Sequence, residues 1–463
     1  MRGVAAIGVL VWLATVPAWA QTDSGDVGNW PRWRGPLATG VAPQGNPPIE
    51  FGEDKNLKWK VGIPGKGSAS PIIWGDKLFL LTAIETDNAA ADSGAPSATE
   101  PVIFQPERRR PGGEGQRGER RGGGGARGGP AKPLEFVVMC LDRNTGKTVW
   151  KQTARKEQPH EGTHETNTYA SASPVTDGEF LYCSFGSRGV HCYDLDGEKI
   201  WEEDLGDMQT KNQFGEGATP ALFEDTLVVP WDHDGQSFVV ALDTKTGDEK
   251  WRVDRDETTT WATPLIVPRG DGHQVVLNGS NRVRSYDLAS GKLLWECGGQ
   301  AQNPIPTPVA NETTVYVMTG FRGYALYAVP LDATGDLTES DKIAWKRNDG
   351  TPYIASPVLL DGRLYITKGR DAILTCLDAA TGDERYANER MNDLRTLYAS
   401  PVAAAGRLYY FDREGNSLVV KAGDTFEVVV TNKLDEIVDA SPAIVGDVMY
   451  VRGDKSLYCF AKQ

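Results

Sequence analysis

The sequence predicts an all-β fold: a single eight-bladed β-propeller with four antiparallel strands per blade. Three observations predict it. First, one unit recurs, clearest at 356–386 (SPVLLDGRLYITKGRDAILTCLDAATGDERY), where four short apolar runs alternate with turn residues. Second, its Ser/Thr-Pro start returns at Ser70, Ser173, Thr219, Thr263, Thr307, Ser356, Ser400 and Ser441, with starts 41 to 49 residues apart after a first gap of 103. That period, with four strands per unit, is a propeller blade. Third, the last unit stops three strands in, at Leu457–Phe460, while a spare Trp strand, Leu57-Lys58-Trp59-Lys60-Val61, precedes the first start. The N-terminal strand near Trp59 is therefore expected to complete the last blade and leave no open edge.

Taken in order, residues 1–20 read as a signal peptide. Arg2 gives the positive start, Val4 to Val16 the apolar stretch, and Ala18-Trp19-Ala20 the small-x-small cleavage site. The stretch is short for a membrane span, no later segment is long and apolar enough, and no Cys stands at the cleavage point. A periplasmic or secreted protein with no membrane span after cleavage is expected. Residues 21–56 read as an N-terminal arm, its Trp30 and Trp33 anchored in a groove of the propeller. The propeller proper is 57–463.

Residues 85–134 interrupt the first unit, after a second strand ending near Thr82-Ala83 and before a third beginning at Phe136. This Gly, Pro, Ala and Arg-rich insert has few large apolar residues, so disorder is expected. It carries Arg108, Arg109, Arg110, Arg117, Arg120, Arg121 and Arg127 among glycines, a composition also found in RNA-contacting segments. In an exported chain it reads more simply as a soluble loop. The net charge of −14, with a body more acidic than the insert, argues against nucleic acid as a partner.

Of the six cysteines, Cys140, Cys192, Cys376 and Cys459 share one third-strand register and read as core fillers. Cys183 and Cys192 flank the turn Gly186-Ser187-Arg188-Gly189 and are the candidate disulfide, although cross-strand bridges are often strained. His160-Glu161-Gly162-Thr163-His164-Glu165 would need a helix to bring two histidines onto a metal, and Pro159 and Gly162 favour a loop. Asp232-His233-Asp234-Gly235 is too short for a calcium loop and reads as a polar hairpin turn.

The repeated Leu-Asp-x-x-Thr-Gly-x-x-x-Trp forms (Leu141 to Trp150, Leu242 to Trp251) and the Ser/Thr-Pro starts resemble the pyrroloquinoline-quinone-like (PQQ-like) β-propeller repeat family. Trp30-Pro31-Arg32-Trp33-Arg34-Gly35-Pro36 resembles a leader of its exported members. The resemblance implies that Trp59, Trp150, Trp201, Trp251, Trp295 and Trp345 dock each blade against its neighbour. It covers two function classes, quinone-dependent alcohol or sugar dehydrogenases and scaffold propellers similar to the lipoprotein that assists outer-membrane protein assembly. The dehydrogenases' vicinal disulfide and haem signal are absent from this sequence. No catalytic residue, metal or cofactor is therefore expected, PQQ with calcium being the alternative.

In an up-down meander, second-to-third-strand turns share a face with the connections between blades. Those turns carry Arg188, Arg282, Arg322, Arg370, Arg413 and Arg452, and the connections carry Tyr169, Trp261, Tyr353 and Tyr398. The expectation is an arginine-rimmed, aromatic-lined docking face for other envelope or exported proteins. A carbohydrate-binding propeller using that aromatic mouth is a third reading. The protein is expected to be a monomer.

Overall fold

The computed structural model describes residues 28–87 and 132–463. The expected signal peptide and most of the Arg/Gly-rich insert lie outside the described residues. Among the described residues there is no α-helix, and no helix long and apolar enough to cross a membrane.

Eight sheets of four antiparallel strands form the body, two of them extended by a fifth short strand. Blade 1 comprises Ile72–Trp74, Lys77–Glu85, Leu134–Asp142 and Thr148–Glu157. Blades 2 to 7 follow in sequence, each running from the inner Ser/Thr-Pro strand to an outer fourth strand. In blade 8 the chain supplies Ala443–Val445, Val448–Arg452 and Ser456–Ala461, and the outer strand is Leu57–Gly62. It pairs antiparallel with the final strand, Trp59 opposite Cys459 and Val61 opposite Leu457. In blade 1 the second and third strands run further than the sequence reading has them, with Glu85 paired to Leu134.

The Ser/Thr of each blade start has a definite task. Ser70 N–H donates to Ser173 Oγ (2.9 Å), Ser173 N–H to Thr219 Oγ1 (3.0 Å), and Thr219 N–H to Thr263 Oγ1 (3.2 Å). Thr307 N–H donates to Ser356 Oγ (3.0 Å), Ser356 N–H to Ser400 Oγ (2.9 Å), Ser400 N–H to Ser441 Oγ (3.0 Å), and Ser441 N–H back to Ser70 Oγ (3.0 Å). Between blades 4 and 5 the polarity differs, because Thr307 Oγ1 donates to Thr263 O (2.7 Å). A closed belt of eight hydroxyls thus rings the axis. It satisfies inner-strand N–H groups that no strand on the channel side could take up.

The outer strands lock the joints. Trp59 Nε1 donates to Arg143 O (3.1 Å), Trp150 to Leu195 O (3.0 Å), Trp201 to Thr244 O (2.9 Å), Trp251 to Leu288 O (2.8 Å) and Trp345 to Ala379 O (3.0 Å). Each acceptor is the residue after the turn-opening Asp of the next blade. The Gly of that turn lies under the indole: a Cβ at Gly146, Gly197, Gly247, Gly291 or Gly382 would stand 2.7–2.9 Å from the ring. These glycines also have φ between +71° and +94°, so the position demands Gly on both counts.

Trp295 differs. The next blade has Pro330 where the others have Asp. Trp295 Nε1 donates instead to Gln274 Oε1 (3.2 Å), and Gln274 Nε2 donates on to Leu331 O (2.7 Å). The glutamine relays the same bond. Blade 7 has no Trp, and the arm fills its joint with blade 8. Phe51 sits between Phe411 (ring centroids 5.7 Å) and Phe460 (5.1 Å), and Asn432 clamps the arm through Phe51 N and Ile49 O.

The candidate disulfide between Cys183 and Cys192 is not formed; all six thiols are free and buried. The short 3₁₀ turn Gly186–Arg188 sets the register so that Cys183 faces His191 and Cys192 faces Tyr182. The two thiols therefore lie on opposite faces of the sheet, Cys183 in the joint with blade 1 and Cys192 in the joint with blade 3. Cys140, Cys192, Cys376 and Cys459 stand opposite Trp150, Trp201, Tyr386 and Trp59, small residues beneath large rings.

Candidate functional site

The arm blocks one end of the central channel. It runs beside the first-to-second-strand turns, where Gly75 N–H donates to Asn29 Oδ1 (2.9 Å) and Asn46 N–H to Gly446 O (2.9 Å). Trp30 is buried and pairs with Ile73, and Val41–Ala42 lies parallel to the inner strand Val402–Ala404 of blade 7. Arg34, buried and without a carboxylate, donates to Pro401 O (2.6 Å), Thr39 O (3.0 Å) and Pro357 O. Burial lowers its pKa to about 9. Trp33 Nε1 donates to Ser441 Oγ (3.2 Å), so its indole floors the channel at the level of the hydroxyl belt. The arm thus reaches the channel at Trp33 and elsewhere runs along the body.

Above that floor the opposite end is open, a mouth of about 250 Å³. Trp261, Tyr353, Tyr398 and Phe214 line its wall, with Ile305 and Ile354, and Arg370 and Asp439 are its charged groups. The aromatics are held in place. Trp261 Nε1 donates to Gly215 O (2.7 Å), Tyr353 stacks on Phe321 (4.7 Å), and Arg413 lies over Tyr398 (4.6 Å). Arg413 also grips Asp439 with two bonds (2.8 and 3.0 Å). Burial pushes the Asp439 carboxyl up, and Arg413 opposes that shift.

The six arginines of the second-to-third-strand turns divide by their partners. Arg452 is buried and ties blade 8 to blade 1 by donating to Ala69 O (3.0 Å) and Leu81 O (2.7 Å); burial lowers its pKa to about 9. Arg188 is buried between Glu157 (2.5 Å), Asp207 (3.5 Å) and His160 Nδ1 (2.9 Å). Arg282 pairs with Asp336 (3.0 Å) and Glu296 (3.2 Å). These three, with Arg413, are held by acceptors of the propeller itself. Arg322 and Arg370 are exposed, and neither meets a carboxylate among the described residues. Arg322 lies over Phe321 (5.2 Å).

Tyr169 is not in the mouth. It lines a neighbouring cavity with Arg188, Glu161 and Glu216, its hydroxyl donates to Glu161 O (2.8 Å), and burial pushes its pKa up to about 12. There Glu216 accepts Ser187 N–H (2.7 Å) and Oγ–H (2.5 Å), and burial raises its carboxyl. His160 and His164 lie on the loop between blades 1 and 2. His160 Nε2 meets Met208 O (2.6 Å), and a carbonyl can only accept, so Nε2 donates. Among the described residues no group of three or more His, Cys, Asp or Glu could hold a metal.

Asp232-His233-Asp234-Gly235 is the hairpin turn between the paired strands Thr226–Trp231 and Ser237–Asp243, and Asp232 within it is buried. It takes two bonds from Arg255 (2.7 and 3.0 Å) and one from Thr260 (2.9 Å). Burial works against the Arg255 charge and Asp232 outweighs it, so Arg255 is held above its usual range. Trp33, Phe214 and the hydroxyl belt belong to the mouth and escape a residue-by-residue reading of the sequence. The belt alone left a signal, the repeated Ser/Thr before Pro.

A family model described as outer membrane protein assembly factor BamB matches residues 135–388, more than half of the chain. The chain belongs to that family. Among solved structures, BamB from Moraxella catarrhalis superposes with a TM-score of 0.53 at 12% identity, covering 71% of this chain and 93% of that one. Quinohemoprotein alcohol dehydrogenase from Comamonas testosteroni gives 0.61 at 10% identity, covering 96% and 83%. A europium-containing methanol dehydrogenase gives 0.59 at 11% identity, covering 94% and 98%. No curated protein matches in sequence. These likenesses show the shared propeller fold, whose holders include an assembly factor and dehydrogenases.

Proposed function

We propose that this member of the BamB family is an exported, non-catalytic propeller that docks other envelope proteins on its mouth face. The observation that carries the reading is the pair of unpaired cations, Arg322 and Arg370, on the adjacent turns of blades 5 and 6. Beside them stand Phe321, the exposed Tyr324, and Lys368, which lies 5.8 Å from the Tyr324 ring. Exposed arginine and aromatic side chains on adjoining loops make a cationic, partly apolar patch on a chain of net charge −14. Such a patch favours an acidic partner surface.

The quinone-enzyme alternative has less support. A hard cation takes six to eight oxygens, several from carboxylates. Among the described residues the mouth offers one carboxylate, Asp439, and Arg413 already holds it with two bonds. These residues do not fit a calcium-quinone centre.

Reversing both charges, Arg322→Glu with Arg370→Glu, is expected to abolish capture of acidic partners from the envelope fraction while leaving thermal unfolding unchanged. Both side chains are exposed, so stability should shift by no more than about 0.5 kcal/mol. An unchanged set of captured proteins would remove the reading.

A further inference from the structure

The hydroxyl belt has a property beyond holding the blades together. Seven of its members, all but Thr307, accept a neighbour's backbone N–H. A hydroxyl that accepts still has its own proton to give. Among the described residues none of these seven O–H groups donates to a protein acceptor, whereas Thr307 does. Six of the seven line the mouth: Ser70, Ser173, Thr219, Thr263, Ser400 and Ser441. All but Thr263 are more than nine-tenths buried. The belt hydroxyls that border the mouth around the Trp33 floor therefore hold protons that no protein acceptor takes among the described residues.

Three further features fix what would satisfy it. The charges lining or gripping the mouth are Arg370, Arg413 and Asp439, and the last two cancel, leaving Arg370 uncompensated. The wall is aromatic and aliphatic, so a ligand made wholly of oxygen would leave that surface unmatched. At about 250 Å³ the space suits a ligand of about one ring.

We propose that the mouth binds a hexuronic acid, a sugar ring bearing one carboxylate. The carboxylate meets the Arg370 guanidinium, whose planar fork suits it. The ring and hydroxyl oxygens accept from the belt, and the C–H face of the ring stacks on Trp261 and the tyrosines. Free uronate and the uronate end of a glycan share this chemistry. The inference shares Arg370 with the docking reading but not Arg322, which lies outside the mouth, so the two fail separately when Arg322 alone is changed.

The test is calorimetric titration of the full chain with glucuronate and galacturonate. Glucose, benzoate and inorganic phosphate serve as comparisons, and an oligogalacturonide separates free acid from glycan end. Saturable binding of a uronate or the oligogalacturonide is expected, at least tenfold tighter than glucose, benzoate or phosphate. Glucose lacks the charge, benzoate the hydroxyl oxygens, and phosphate the apolar face. Arg370→Gln should weaken uronate binding tenfold or more, while Arg322→Gln leaves it unchanged and weakens only protein docking. The proposal is overturned if no uronate binds, if any comparison ligand binds as well, or if Arg370→Gln leaves the affinity unchanged.

Discussion

Asp232→Ala is expected to destabilise the protein by about 3–5 kcal/mol, the cost of leaving a buried charge without its partner. The Arg255 side chain has no exposed surface, and Asp232 gives it two of its three bonds. The third goes to Tyr286 Oη (2.9 Å), which cannot neutralise a guanidinium. The pair closes the mouth side of blade 3, where Arg255 ends the outer strand Glu249–Arg255. Replacing both, Asp232→Leu with Arg255→Met, should restore stability to within about 2 kcal/mol of wild type, because apolar pairs of similar volume often replace buried ion pairs at little cost. Urea midpoints at constant m-value measure this. Equal losses in the single and double variants would show that packing, not charge, holds the joint.

Trp59→Ala is expected to cost about 3 kcal/mol, the low end for removing a large aromatic since the ring is only part-buried. Its effect falls on the one joint that ties the chain's two ends. The indole covers Gly146, donates to Arg143 O and packs 6.0 Å from the Tyr450 ring. Trp59→Phe keeps part of the stacking but not the bond, so it should lose about half as much. Trp295→Ala, at a fully buried ring, should cost more than Trp59→Ala, because it also leaves Gln274 Oε1 with fewer partners. Chemical denaturation of the three variants orders them.

Much of the fold was legible because its rules are local and repeat. The Ser/Thr-Pro starts counted eight blades, and the unmatched strand at Trp59 pointed to the closure. The shared third-strand place of Cys140, Cys192, Cys376 and Cys459 was legible, whereas the ring opposite each was not. What escaped depends on partners far away in sequence. Nothing local says that Arg188 will meet Glu157 and Asp207, or that Arg452 will be buried against Ala69 and Leu81, so six turn arginines looked alike. The arm has no periodicity, and Arg34 is held by carbonyls, which every residue carries. A single-residue register, set by the turn at Gly186–Arg188, decided that Cys183 and Cys192 face apart. Of the mouth, the sequence named Trp261, Tyr353, Tyr398 and Arg370. It did not name Trp33, which reaches the belt from the other end of the channel.

Hydrogen exchange of the intact protein tests the closure most directly. Backbone amides of Leu57–Gly62 should exchange as slowly as those of Ser456–Ala461, since the two strands share one ladder at the end of a closed ring. Exchange of 57–62 within seconds, with 456–461 still protected, would mean the circle is open and the mouth has no fixed rim.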